Sequence, residues 1–96
     1  MATYVALYNW TEQGIRNVKE TKKRYDAAVA FAEKMGVHLT HFLYTMGGYD
    51  MVAIIEAADE ETINAFSLAL GSMGNVRSTT MRAYKVEDMA RILAKI

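Results

Sequence analysis

Four stretches of this chain alternate in side-chain character, and the segments between them repeat their apolar positions every three or four residues. Thr3 to Trp10 reads as a strand, with Thr3, Val5, Leu7 and Asn9 on one face and Tyr4, Ala6, Tyr8 and Trp10 on the other. From Glu12 to Met35 the period is helical: Ile15, Val18, Tyr25, Ala28, Val29, Ala32 and Met35 share a stripe, and Gly36 ends it. Thr11 suits the N-cap. Lys22 interrupts the stripe beside Thr21, a second capping residue, so the spacing predicts a bend or two helical pieces there. Val37 to Met46 and Tyr49 to Ala57 alternate again. Asp59 then caps a second helix with Glu60 and Glu61 in its first turn, Ile63, Phe66, Ala69, Leu70 and Met73 as its buried stripe, and Gly74 as its stop. Asn75 to Tyr84 is a fourth, threonine-rich strand. Glu87 to Ile96 closes the chain as a short amphipathic helix carrying Met89, Ile92, Leu93 and Ile96.

The centre of this pattern is Thr45-Met46-Gly47-Gly48-Tyr49-Asp50. Two adjacent glycines can both take φ > 0, as a two-residue hairpin turn requires. That turn sets a register with Met46 opposite Tyr49, Thr45 opposite Asp50, Tyr44 opposite Met51, Leu43 opposite Val52 and Phe42 opposite Ala53. The order is therefore β-α-β-β-α-β plus a tail helix. It predicts an α+β, ferredoxin-like sandwich with one antiparallel sheet in the order 4-1-3-2 and both helices on one face. Residues 1–96 form a single domain. Leu39, Leu43, Val52 and Ile54 are expected beneath the helices with Val5 and Leu7. Tyr4, Tyr8, His38, Phe42, Tyr44 and Met51 are then left on the opposite face, where two sheets would meet as a homodimer or a larger homo-oligomer.

Composition narrows the function classes. A hydrophobic share of 52% favours covering some apolar surface with another subunit. Lys+Arg and Asp+Glu are equal at 11 each, so no global field would gather nucleic acid or a membrane surface. No segment approaches the ~20 apolar residues of a membrane span, and the start lacks a signal-peptide layout, so a cytoplasmic address is expected. Without cysteine there is no disulfide, thiolate nucleophile or zinc-thiolate site. His38 and His41 invite a metal, but three residues apart on a regular strand they point to opposite faces. No metal and no cofactor are expected. A basic run, Arg16, Lys19, Lys22, Lys23 and Arg24, and an acidic patch, Glu56, Asp59, Glu60 and Glu61, read as solvated faces or as complementary patches between subunits.

Around Gly48-Tyr49-Asp50 the sequence resembles the GYD-domain family. Further resemblance lies in Trp10-Thr11-x-x-Gly14, the basic segment Arg16 to Arg24, and Val76-Arg77-Ser78-Thr79-Thr80. It covers nearly the whole chain, departing where Thr21-Lys22 replaces an early helix proline. The resemblance implies the dimeric α/β-barrel superfamily, whose protomers pair through their sheets. That superfamily spans cofactor-free isomerases, oxygenases, dehalogenating enzymes and ligand-sensing modules, so fold alone selects no activity.

The topology brings the end of strand one, the hairpin turn and the start of strand four to one sheet edge. Asn9, Thr45, Asp50 and Arg77 are expected to project to the helix face there, with Arg16 and Lys19 above and Trp10 and Tyr49 beside them. Such a group suits a small polar or anionic ligand, either under the helices or inside a sheet-sheet barrel. Three functions follow: a homo-oligomeric small-molecule binding module; a cofactor-independent isomerase or oxygenase with Asp50 as base and Arg77 or Arg16 at an oxyanion; or a pure self-assembly module.

Overall fold

Local signals place most element boundaries. The structure, a computed structural model, describes residues 1–96. Strand β1 (Ala2–Trp10) leads to helix α1 (Glu12–Arg16), a 3-10 turn at Val18–Glu20 and helix α2 (Thr21–Lys34). Strands β2 (His38–Tyr44) and β3 (Met51–Ala57), helix α3 (Glu60–Ser72), strand β4 (Val76–Ala83), a 3-10 turn at Val86–Asp88 and helix α4 (Met89–Leu93) follow. Thr11 caps α1 by accepting from the Gly14 N–H. The helical segment breaks at Asn17, which leaves helical geometry at φ −105° and ψ 31°. Thr21 opens α2 without capping it, because its hydroxyl instead meets the Tyr44 hydroxyl at 3.0 Å.

Asp59 caps α3, accepting from the Thr62 N–H at 2.9 Å and the Thr62 hydroxyl at 2.7 Å. Those bonds, the backbone one first, hold its carboxyl below the ordinary aspartate value of 3.8. A depressed folded pKa means that the cap contributes fully above the unfolded value and is lost as pH falls through the folded one. Acid thermal melts of wild type should therefore show a loss of stability that Asp59→Asn, an acceptor that does not titrate, lacks over the same pH interval.

The sheet order is β2-β3-β1-β4, all antiparallel, which counted from the other edge is 4-1-3-2. Phe42 pairs with Ala53, Leu43 with Val52 and Tyr44 with Met51, as the hairpin pattern predicts. Within the turn only Gly47 takes a positive φ, at 102°. Gly48 does not, so the expectation of positive φ at both glycines is corrected. Side chains hold the loop in place of a tight turn: Thr45 Oγ1 donates to Tyr49 O and Asn9 Nδ2 to Gly48 O.

The faces of the sheet are the reverse of the expected ones. Tyr4, Ala6, Tyr8, Met51, Ala53, Ile55 and Ala57 are buried in one cluster with Ala32, Val37, Ile63 and Phe66, and Leu39, Phe42 and Trp10 pack against it. The aromatic face therefore lies beneath the helices, and Tyr4, Tyr8, Phe42, Tyr44 and Met51 are not on the open side. Two physical reasons account for this. Both faces of β1 are largely apolar, so its alternation does not say which of them the helices cover. The helices themselves are thin, with Ala27, Ala28, Ala30 and Ala32 in α2 and Ala65 and Ala69 in α3, so much of the bulk beneath them comes from the rings of the sheet, joined by Phe31 and Phe66.

A β-bulge at Thr40 makes a second correction. His38 pairs with Glu56, Leu39 with Ile55 and His41 with Ile54, so Thr40 is the extra residue. The added residue restores parity and puts His38 and His41 on the same, open face, while Leu39 joins Phe42 under the helices. That open face carries Leu43, Val52, Leu7 and Thr79 in one cross-strand row and His41, Ile54, Val5 and Met81 in the next. Leu43 is 61% exposed and Met81 45%. After β4 the chain turns at Lys85, whose Nζ reaches Glu56 Oε1 at 3.2 Å. Helix α4 is shorter than the expected Glu87–Ile96 segment and leaves Met89, Leu93 and Ile96 exposed. No helix is long and apolar enough to cross a membrane.

Candidate functional site

An aromatic cleft of about 170 Å³ opens between the sheet and α2. Its floor is Tyr8, Trp10, Phe42, Tyr44 and Met51, its roof Tyr25 and Ala28. The cleft exists because alanines at 27 and 28 leave unfilled volume above large strand side chains. Its rings form a continuous chain. Tyr25 and Phe42 lie 4.9 Å apart, Phe42 meets Tyr44 edge-on at 5.2 Å, and Tyr44 stacks with Trp10 at 6.4 Å. Such geometries are favourable beyond simple burial.

Beside the Tyr hydroxyls, the polar residues lining the cleft are Thr21, Arg24 and Asn75. The Arg24 guanidinium is engaged in capping α1, donating to Asn17 O at 2.9 Å and Gly14 O at 3.2 Å. Burial pushes the Tyr8 phenol up to about 12, so it stays protonated at neutral pH and is no base. No carboxylate and no histidine lines the cleft. What it can do chemically is surround an apolar or aromatic group.

The residues expected to converge at the hairpin edge are placed differently. Asn9 and Arg77 are register partners on the open face, not on the helix face. Asp50 accepts the Trp10 N–H on Oδ2 at 2.9 Å, and its own N–H donates to Tyr8 O at 2.8 Å. Thr45 and Asn9 tie the turn, as described above. Arg16 forms an exposed pair with Glu12 at 3.1 Å. Lys19 and Tyr49 are likewise exposed and line no part of the cleft. Only Trp10 of the predicted ligand residues faces the cleft. Arg24, Tyr25 and Ala28 were missed as cleft residues, although the alanine-rich stripe of α2 opposite an aromatic strand face was visible in the sequence. No group of three or more His, Cys, Asp or Glu side chains is placed to hold a metal ion.

The base of α1 is the other tightly built part of this edge. Thr11 N–H donates to Asn75 O at 3.1 Å, Thr11 Oγ1 to Gly74 O at 2.5 Å, and Gln13 Nε2 reaches Met73 O and Asn75 Oδ1. Gly14 lies against Asn75 so closely that a Cβ would stand 2.0 Å from its carbonyl oxygen.

Comparisons with known proteins agree with this architecture. The crystal structure of FFRP-DM1 superposes with a TM-score of 0.63 at 16% identity, covering 88% of this chain and all of that one. It shares the fold. In sequence, the chain is 29% identical over 90 residues to a Thermus thermophilus protein named "Glutamine synthetase and cystathionine beta-lyase binding protein", covering 93% of this chain and 95% of that protein. The GYD domain model matches residues 4–93, nearly the full length, and the chain belongs to the GYD-domain family.

Proposed function

We propose that this protein is a homodimeric binding module that pairs through the open faces of its sheets and docks on partner enzymes. The observation that carries the pairing is the uncovered aliphatic face, with Leu43, Val52, Leu7, Ile54, Val5 and Met81 in adjacent cross-strand rows. A lone chain buries only 13 of its 96 residues, a thin core for a domain of this size. Covering the aliphatic face with a second copy would double the number of packed layers. Docking on enzymes is supported by the name of the Thermus thermophilus relative, and the aromatic cleft offers a hollow for a protruding apolar side chain, the usual centre of a protein interface. Catalysis with Asp50 as base is not favoured, because Asp50 secures the Trp10 N–H and lies outside the cleft.

The pairing is tested by mass in solution. Ile54→Lys puts a charge at the middle of the open face, where a monomer lets the lysine stem lie along the sheet but a sheet pair must bury its charge. Light scattering is expected to give a dimer for wild type and half that mass for the variant. A variant with the parent's mass removes the sheet-paired reading. For the docking part, purified glutamine synthetase and cystathionine β-lyase are the probes. Ala28→Leu, which fills the cleft, should abolish co-migration with whichever enzyme binds while leaving the dimer mass unchanged.

A further inference from the structure

A second concavity lies along the flank of α3 away from the aromatic cleft, between that helix and the edge strand β4. It encloses about 810 Å³, within the ~300–1,000 Å³ usual for small-molecule sites. The topology accounts for it. Ser78, Thr80 and Arg82 alternate onto the helix face of β4 as register partners of Tyr8, Ala6 and Tyr4, but β4 is the outermost strand and α3 does not close over it. The walls are correspondingly polar. Asn64 and Ser67 of α3 line it together with Thr80 and Arg82 of β4 and Tyr4 of β1.

Two of these groups are without partners. Tyr4, only 3% exposed, and Thr80 each bury a hydroxyl that makes no hydrogen bond. Native proteins rarely leave such groups unpaired, and a ligand is one way they are satisfied. Arg82 stands beside them, its guanidinium 5.6 Å from the Tyr4 ring centroid and 4.4 Å from that of Tyr84. Its Nη1 donates to the carbonyls of Thr3 and Ala83, and it belongs to no ion pair. The neighbouring Asp88 is engaged instead by the Lys85 N–H at 2.8 Å and by Arg91 at 3.4 Å. Glu60 is the one acid lining the groove, against Arg82.

We propose that this groove binds a small carboxylate- or phosphate-bearing molecule, with the Tyr4 and Thr80 hydroxyls donating to its oxygens and Arg82 supplying the countercharge. Hydroxyls rotate to donate and a guanidinium only donates, so the chemistry these three share is recognition of an anion. The groove is on the helix side of the sheet, so the site is independent of sheet pairing through the open face.

The test is calorimetric titration of the full chain with citrate and, separately, inorganic phosphate, at constant ionic strength set with chloride. Saturable binding of citrate alone assigns a carboxylate ligand, and of phosphate alone a phosphorylated one; either supports the site. Arg82→Gln and Tyr4→Phe should each weaken that binding about tenfold or more, as expected for hydrogen bonds to a charged group. Thr80→Val, nearly the same shape as threonine, gives a third reading should Tyr4→Phe disturb the core, and a thermal melt of each variant shows whether it is folded. No saturable binding of either anion, or binding that folded Arg82→Gln and Thr80→Val leave unchanged, overturns the proposal.

Discussion

Phe66→Ala is expected to lower the unfolding free energy by roughly 3–5 kcal/mol, the cost of removing a large aromatic from a packed core. Phe66 is fully buried, stacks on Phe31 at 5.9 Å between ring centroids, and shares its cluster with Ala6, Ala53 and Ala57. Those alanines matter. They are small residues on the sheet face that Phe66 meets, so that side has little side chain with which to fill the vacancy. A domain of this size has ~5–15 kcal/mol in total, so the expected loss is about a fifth of wild-type stability or more. Urea titration at fixed protein concentration, followed by far-UV circular dichroism, measures the change as a lower midpoint. A midpoint near that of wild type would mean that the helix α3 contact is not central to the core.

Gly14→Ala carries the second large effect, and here the cause is steric. The added Cβ would stand 2.0 Å from Asn75 O, 2.9 Å from Asn75 C and 3.1 Å from Trp10 Cδ1, two of the three being backbone atoms. Backbone does not yield as a flexible side chain does. Helix α1 must therefore lift from the Gly74–Asn75 loop, breaking the Thr11 bonds that hold both. Overpacking costs roughly 1–3 kcal/mol and each lost hydrogen bond about 1, so about 3 kcal/mol is expected in the same urea experiment. Gly71→Ala is the control. Gly71 lies within α3, has nothing within 4 Å of a built Cβ and does not take a positive φ, so alanine there should stabilise by about 0.5–1 kcal/mol. If both glycine variants behave alike, helix propensity rather than the Asn75 contact governs Gly14.

The residue pattern carried the elements well where the signal is local. Thr11 and Asp59 cap the helices that follow them, and Gly36 and Gly74 take the positive φ that ends a helix. The hairpin register was legible too, because one residue of slip would move every side chain to the other face. Thr21 misled, since a capping residue type does not cap when a closer partner, the Tyr44 hydroxyl, competes for it. The candidate site was the least legible part. Asp50 belongs to the family's signature tripeptide and draws attention as a carboxylate, whereas its position shows a side chain that extends the backbone pairing of β1.

The sequence by itself determined the element order, the helix ends and the pairing of β2 with β3, since each depends on residues close together in the chain. Only the tertiary structure decided which sheet face is buried. Both faces of β1 are largely apolar, so hydrophobicity did not discriminate between them, and the packing of alanine-rich helices on the larger strand side chains did. The same holds for His38 and His41. Their shared face comes from a bulge that exists only in the pairing of β2 with β3. The aromatic cleft and the polar groove likewise arise from how far each helix lies over its strands, a distance written in no single segment.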